Sequence, residues 1–120
     1  MKRNILSLLY IHFLLLGYTT FSQAATIIVP LDNNETIQAG IDAAEDGDTV
    51  LVLPGEYVEN INFDGKAILV AGIPNFATID GNGDGPCVRF NSGEDALSIL
   101  LGFTLINGTG VNGRGGGILV

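Results

Sequence analysis

The sequence predicts an all-β protein, a solenoid of short parallel strands preceded by one short helix. Eight short β-prone segments, of two to seven residues, follow residue 48, with no second helix between them. Several of these segments are apolar throughout, as expected for strands that have neighbours on both sides of a parallel ladder. The breaks between them carry glycine, asparagine or aspartate, which are the residues that turns require.

The apolar centres of three segments recur at a nearly constant distance. They are Val50–Val52, Ile68–Val70 and Val88–Phe90, so that successive centres begin at positions 50, 68 and 88. A repeat of this size is close to one coil of a β-helix. Strands this short, apolar throughout and unconnected by helices, favour a solenoid over a sandwich or a barrel.

Residues 1–24 are predicted to be a signal peptide, which places the solenoid domain at 25–120. Lys2 and Arg3 precede the apolar run Ile5–Leu16, and Ser22 and Ala24 put small residues at both specificity positions of a signal peptidase site, so cleavage after Ala24 is expected. The alternative is an uncleaved membrane anchor, but the run is shorter than the roughly 20 residues of a spanning helix. The mature chain is therefore expected to be secreted or held at the cell surface, with no transmembrane span.

The predicted mature chain is strongly acidic and has no histidine. Lys66, Arg89 and Arg114 stand against thirteen acidic residues, which gives a net charge of −10. This charge repels nucleic acid and anionic membranes and suits a soluble extracellular protein. With His12 in the signal segment and Cys87 the only cysteine, Ser-His and Cys-His pairs, histidine-ligated metals and an internal disulfide are excluded. Carboxylate chemistry, calcium chemistry or no chemistry remains.

A β-prone segment, Thr26–Val29, is followed by a predicted helix of about nine residues. Ile37, Ile41 and Ala44 lie on one face of that helix, and Gly40 inside it costs roughly 1 kcal/mol relative to alanine, which indicates close packing on its side. Such an amphipathic helix can cover the open end of a solenoid, where strand edges and the apolar interior are exposed. The candidate N-caps are Asn33, Asn34 and Thr36.

The remaining segments are predicted as strands. Within one of them Val88 and Phe90 are expected to point inward, Arg89 to face solvent and Cys87 to be a small buried side chain. The chain ends within the last segment, which predicts a fragment truncated at its C-terminus, with further coils as partners and an uncovered edge prone to aggregation. The segments are Thr49–Leu53, Tyr57–Phe63, Ala67–Val70, Thr78–Ile79, Cys87–Phe90, Leu97–Leu101, Phe103–Ile106 and Ile118–Val120.

Asp80, Asn82 and Asp84 are the candidate metal ligands, within the string DGNGDG at 80–85. Oxygen-bearing side chains at the first, third and fifth positions and glycine at the sixth match the start of a calcium-binding EF-hand loop. The twelfth position is Asn91 instead of glutamate, and a strand is predicted where the exiting helix should begin, so an EF-hand is excluded. Two alternatives remain, a loose calcium site and a coil corner in which Gly81, Gly83 and Gly85 supply positive φ angles.

Three segments resemble the N-terminal cap and first coil of right-handed parallel β-helix proteins, the pectin-lyase-like superfamily. They are Thr36–Ala44 (TIQAGIDAA), Asp46–Val52 (DGDTVLV) and Pro54–Ile61 (PGEYVENI). Leu97–Gly108 (LSILLGFTLING) and Gly115–Ile118 are similar to repeats of secreted bacterial β-helix proteins. The resemblance covers residues 26–120 and implies a right-handed, single-stranded coil closed by the N-terminal helix. Its implications for function are weak, because many activities share this coil.

Two classes of function are compatible with this resemblance. The first is a noncatalytic secreted or cell-surface scaffold that binds polysaccharide or acts as an adhesin-like stalk. The second is the N-terminal part of a carbohydrate-active enzyme, similar to a pectate lyase, pectinesterase or polygalacturonase, with its active site beyond residue 120. Arg89 with Asp80 or Asp84 would be the analogue of the arginine and calcium of pectate lyases, but no lyase motif surrounds them. No catalytic or cofactor-binding residue is assigned, calcium is the only candidate cofactor, and the expected partner is extracellular polysaccharide.

Overall fold

The computed structural model describes residues 23–31, 33–112 and 116–120, so the predicted signal segment lies outside it up to position 22. Within these ranges the chain forms ten strands and one helix. They are β1 (Thr26–Val29), α1 (Ile37–Ala43), β2 (Thr49–Val52), β3 (Gly55–Val58), β4 (Ile61–Asn62), β5 (Leu69–Gly72), β6 (Ala77–Asp80), β7 (Val88–Arg89), β8 (Ile99–Leu101), β9 (Phe103–Ile106) and β10 (Ile118–Leu119).

The strands form three parallel sheets that run along a coil. Sheet A contains β1, β2, β5 and β8 in that order, sheet B contains β3, β6 and β9, and sheet C contains β4, β7 and β10. Every strand pair among the described residues is parallel. The chain passes through the sheets in the order A, B, C three times, from β2 to β10. The predicted parallel β-helix with a short N-terminal helix is therefore confirmed.

The predicted repeat was wrong in its register. Val50 pairs with Val70, and Val70 pairs with Leu100, so the second coil is half as long again as the first. Val88 belongs to sheet C, where it pairs with Ile61. Apolar triplets from different sheets look alike because all three sheets send alternate residues into one core. Loops of different length between the strands then make the coils unequal.

The core is a single apolar column inside the coil. Residues from all three sheets and from α1 are almost completely excluded from solvent, and Cys87 is among them as predicted. Phe63 and Phe90, which follow β4 and β7, stack with their ring centroids 4.3 Å apart. The fully buried members are Val29, Ile37, Ile41, Val50, Val52, Ile61, Phe63, Val70, Ala77, Ile79, Cys87 and Val88.

The predicted strand Tyr57–Phe63 is two strands that belong to different sheets. Tyr57 and Val58 end β3 in sheet B, and Ile61 begins β4 in sheet C, with Glu59 and Asn60 between them. The chain turns a corner there without glycine or proline. The alternation of apolar and polar residues continues through such a corner, and for that reason the pattern predicts one strand instead of two.

Helix α1 covers the end of the coil as predicted, although it has seven residues instead of nine. Thr36 is its N-cap, and the Thr36 Oγ1 accepts a hydrogen bond from the Ala39 backbone N–H at 3.0 Å. Ile37, Ile41 and Ala44 are buried. A Cβ on Gly40 would lie 2.8 Å from Val29 Cγ2 and 2.9 Å from Val50 Cγ1, which explains glycine inside the helix.

Both ends of α1 are held by side chains of the first coil. The Glu59 carboxylate accepts hydrogen bonds from the backbone N–H groups of Ile37 and Gln38, at 2.9 and 3.0 Å. At the other end the Lys66 ammonium donates to the carbonyls of Ile41, Asp42 and Ala44, at 2.7 to 3.0 Å. Each charge has the sign that the helix dipole favours at its end.

The Gln38 side chain replaces a strand at the first edge of sheet C. Its Oε1 accepts from the Asn62 N–H at 2.8 Å, and its Nε2 donates to the Asn62 carbonyl at 3.1 Å. A primary amide thus pairs with β4 as a backbone peptide group would. This edge of β4 is therefore not left open to a further strand.

Candidate functional site

The residues Asp80, Asn82 and Asp84 lie at the corner where the chain leaves sheet B for sheet C. This B–C corner comprises Asn60, residues 80–86 and residues 107–109. Asn82, Gly83 and Gly85 have positive φ angles of 52°, 73° and 144°. Gly81 does not, so the predicted role of three glycines is correct for two of them, and Asn82 takes the third left-handed position.

Gly81 is required by close approach instead of by its φ angle. A Cβ at this position would lie 2.9 Å from Gly108 Cα and 3.0 Å from the Asn107 carbonyl oxygen, both in the next coil. The Gly81 N–H donates to the Ile106 carbonyl at 2.9 Å. Adjacent coils thus touch through their backbones at this corner.

Asp80 connects two coils through one carboxylate oxygen. Its Oδ1 accepts from the Asn82 backbone N–H at 2.8 Å and from the Asn107 side-chain amide at 3.0 Å. Asn107 lies in a turn and has a φ of 52°. Through this amide Asn107 joins its own coil to Asp80 of the preceding coil.

The three candidate calcium ligands are neighbours on this exposed turn. The Asn82 Nδ2 donates to Asp84 Oδ2 at 3.0 Å, so in this arrangement the carboxamide pairs with the carboxylate. Among the described residues no three Asp, Glu, His or Cys side chains are close enough together to hold a metal ion. Calcium binding by Asp80, Asn82 and Asp84 stays a prediction.

Two further polar side chains complete the B–C corner. Asn60 donates through Nδ2 to the carbonyls of Gly81 and Pro86, at 3.2 and 3.0 Å. Thr109 donates its hydroxyl to the Gly83 carbonyl at 3.1 Å, and its N–H bonds the Gly85 carbonyl. Three successive coils are joined in this way by amides and a hydroxyl instead of by strand pairing.

An open cleft of about 420 Å³ lies on the outer side of this corner. Asn82, Asn107 and Thr109 supply its polar walls, and Gly83 and Gly108 leave it without bulky side chains. Amides and hydroxyls that both donate and accept hydrogen bonds suit ligands with many hydroxyl groups. In chemical terms the cleft is a neutral hydrogen-bonding surface.

Arg89 lies beside the corner but does not join the candidate ligands. It is half-buried on β7, and a Cβ built on Gly85 would lie 3.1 Å from its Nη2, so the glycine leaves room for the guanidinium. The Arg89 Nε is shielded from solvent and has no hydrogen-bond partner within the described residues. Arg89 therefore faces outward as predicted, although it is less solvated than expected. Cys87 beneath it donates its Sγ–H to the Ile106 carbonyl at 3.2 Å.

A second cavity, of about 570 Å³, lies where the strands of sheet A begin. It is lined by Asp46, Asp48 and Asp95 together with Leu69 and Leu97. Hydrogen bonds from the backbone N–H groups of Glu45 and Ala25, aided by the positive charge of Lys66, hold the pKa of Asp48 below its usual range. Both Asp48 oxygens are thereby engaged in joining the chain around β1 to β2.

The sequence reasoning missed Asn60 and Thr109 as members of the corner. Asn60 follows Val58 by two residues, as Asn82 follows Asp80, and Val58 and Asp80 are partners in sheet B. Aligning the sheet B strands by register would have placed the two asparagines at equivalent positions. Thr109 carries no such signal, because the residues after β9 have no counterpart in the earlier coils.

Comparisons with known proteins identify no relative, since no family model, no curated protein and no solved structure matches this chain. None of the described helices has the length and apolar character needed to cross a membrane.

Proposed function

We propose that the chain belongs to an exported, noncatalytic β-helix scaffold that binds extracellular polysaccharide at the B–C corner. The observation that supports this most directly is the cleft formed by Asn82, Asn107 and Thr109, whose side chains come from two adjacent coils. Adjacent coils lie about 4.8 Å apart, so polar groups from two coils can contact neighbouring units of an extended chain of sugars.

The chemistry of the cleft favours neutral glycans. Asn82, Asn107 and Thr109 are exposed, and each uses one donor within the corner. Their side-chain oxygens accept no hydrogen bond among the described residues and can accept from sugar hydroxyls. The predicted mature chain carries a net charge of −10, which repels uronic acids and other anionic sugars. Binding of an acidic polysaccharide would need bridging cations, and Asp80, Asn82 and Asp84 would be their site.

The pectin-lyase-like resemblance is part of the same proposal. Gln38 and Glu59, which lie in two of the segments that carry it, contact each other through the Gln38 N–H and the Glu59 carboxylate. The contact between these two segments holds helix α1 against the first coil. Export is proposed from the signal segment at residues 1–24.

Titration with neutral and acidic oligosaccharides, followed by calorimetry, tests the proposal. Asn82→Gly removes the carboxamide while keeping a residue that accepts positive φ, and Thr109→Val removes the hydroxyl while keeping the shape. Asn75→Gly is the matched control, because Asn75 is an exposed residue with a φ of 66° in a different turn. We expect N82G and T109V each to weaken binding of a neutral oligosaccharide roughly five- to tenfold, the loss of about one hydrogen bond, with N75G unchanged.

Two outcomes would contradict the proposal. One is equal binding by N82G, T109V and N75G, which would place the sugar elsewhere or indicate no site. The other is the release of reducing ends or unsaturated products from any glycan, which would identify an enzyme instead of a scaffold.

A further inference from the structure

Sheet A has an apolar outer side as well as an apolar inner side. Val50 and Val70 point into the core. Because side chains alternate along a strand, the residues on either side of each of them point outward. Ile28, Leu51, Ala71 and Leu101 stand in register across the four strands, and the second outward row contains Thr26, Thr49, Leu69 and Ile99. These eight residues, six of them apolar, are the outer face of sheet A.

The other two sheets present mostly polar outer sides. Glu56 and Thr78 on sheet B, and Asn62 and Arg89 on sheet C, occupy outward positions. The apolar character of sheet A is therefore not a general property of this coil. Leu101 keeps 58% of its surface exposed and Ile99 keeps 43%, and Leu97 beside them keeps 66%. Continuous apolar surface of this kind marks interaction sites on proteins.

The border of this face is negatively charged. The cavity lined by Asp46, Asp48 and Asp95 opens where the strands begin, next to Leu69 and Leu97. Asp46 and Asp95 each use one oxygen to accept a backbone N–H, from Ala67 and Leu97. No basic residue lines this cavity among the described residues. A partner that covers this face is therefore expected to place apolar groups on the strands and positive charge beside the acidic residues where the strands begin.

A second copy of the chain does not meet this requirement. Of the described residues only Lys66 and Arg89 are basic, and the Lys66 ammonium is already engaged by three helix carbonyls. A second predicted mature chain, with a net charge of −10, would bring mainly negative charge to this acidic border. An anionic bilayer is disfavoured by the same charge. A glycan is disfavoured because the face offers no aromatic rings and only the hydroxyls of Thr26 and Thr49 as hydrogen-bonding groups.

We propose that the outer face of sheet A docks an amphipathic segment of a partner protein, with Lys or Arg along the side that faces Asp46 and Asp95. The outer rows extend about 14 Å across the four strands, because adjacent strands are about 4.8 Å apart. A helix of about ten residues spans that distance at about 1.5 Å per residue. The apolar side of such a helix would cover Leu51, Leu69 and Leu101.

Fluorescence anisotropy of the mature chain with a labelled amphipathic Leu/Lys peptide of about 18 residues tests this proposal. A Leu/Glu peptide with the same apolar pattern is the charge control, and a Leu/Lys peptide of scrambled order is the amphipathicity control. We expect binding of the Leu/Lys peptide alone, weakened about tenfold or more by Leu101→Thr. Asp95→Asn, which keeps the acceptor for the Leu97 N–H, is expected to weaken binding at low salt and to reduce its salt dependence.

Ile106→Thr is the matched control for Leu101→Thr, since Ile106 is an exposed outward residue of sheet B. Ile99→Thr tests the same face at a second position, so a folding defect in one variant does not decide the outcome. Equal binding by L101T, I99T and I106T, or equal binding of the Leu/Glu and scrambled peptides, would overturn the proposal. Sedimentation as a dimer that L101T abolishes and I106T does not would overturn it too, because it would assign the face to a second copy.

Discussion

Gly81 and Gly83 stand two residues apart in the same turn but are required for different reasons. A Cβ on Gly81 would press on the backbone of the next coil, at Gly108 and Asn107, whereas nothing lies within 4 Å of a Cβ on Gly83. Gly83 has a φ of 73°, which costs an L-residue about 1–2 kcal/mol. The same substitution therefore probes packing at one position and backbone strain at the other.

We expect Gly81→Ala to lower the free energy of unfolding by about 1–3 kcal/mol, the usual cost of overpacking. Gly83→Ala is expected to cost about 1–2 kcal/mol and to leave the contact with the next coil intact. Urea unfolding measures both values. Amide exchange at Gly108 and Thr109 distinguishes them, because only G81A should speed it. Slow exchange in both variants would show that the coils adjust without separating.

The calcium prediction belongs to the same turn and is tested by titration. If Asp80, Asn82 and Asp84 bind calcium, the ion should raise the melting temperature and shift the amide resonances of residues 80–84. Asp84→Ala should abolish both effects, and Glu56→Ala on sheet B should abolish neither. Unchanged melting and unchanged resonances in the presence of calcium would leave the turn as a coil corner alone.

Acid sensitivity is expected from Asp48, which is 8% exposed. Its pKa is lowered in the folded chain by hydrogen bonds from the N–H groups of Glu45 and Ala25. A lowered folded pKa stabilises the protein above the unfolded value of about 3.9, and this contribution is lost as the pH falls through the folded pKa. The free energy of unfolding, measured in urea between about pH 5 and pH 2, should therefore depend less on pH for Asp48→Asn than for the parent chain. Parallel curves would contradict this.

At the scale of elements, α1 is short enough to depend on its end contacts. A helix of seven residues does not persist on its own. Glu59 and Lys66 belong to the first coil, so the helix and the coil stabilise each other through charged hydrogen bonds. The helix therefore depends on the coil for its stability and is not an independent cap.

Lys66→Met is expected to lower the free energy of unfolding by about 2 kcal/mol, since it removes a charged donor from three carbonyls while keeping the apolar stem. Guanidinium unfolding monitored by circular dichroism gives the value. Glu56→Gln is the control, because it removes an exposed charge that makes no hydrogen bond among the described residues. If K66M and E56Q are equally stable, the Lys66 contacts do not hold the helix.

At the scale of the whole molecule, one side of β8, β9 and β10 has no strand partner among the described residues. Free parallel edges of this kind promote association between chains. We expect the melting temperature and light scattering of the chain to depend on its concentration. Thr104→Lys on the β9 edge should reduce the scattering, and Thr78→Lys, its partner on the inner strand β6, should not. A cooperative transition independent of concentration would contradict the expectation.

The sequence predicted the architecture better than the register. Apolar runs such as Val50–Val52 and turn residues such as Gly83 respond to local geometry, so strands, corners and the capping helix could be predicted. Pairing between coils depends on loop length, and nothing local distinguishes Val88 in sheet C from Val70 in sheet A. The candidate ligands were placed on the correct turn, but the contact of Asp80 with Asn107 depends on the neighbouring coil and had no signal in the string itself.

The Gln38 amide has a consequence for how the protein acquires its structure. Because Gln38, Glu59 and Lys66 close the cap, the side chains that hold helix α1 on the first coil are all present once residue 66 has been made. A polypeptide emerges from the ribosome amino end first. We expect each later coil to find a finished strand already in place one coil behind it, so that assembly follows the direction of synthesis. The capped first coil is thus expected to be the template on which the later strands pair.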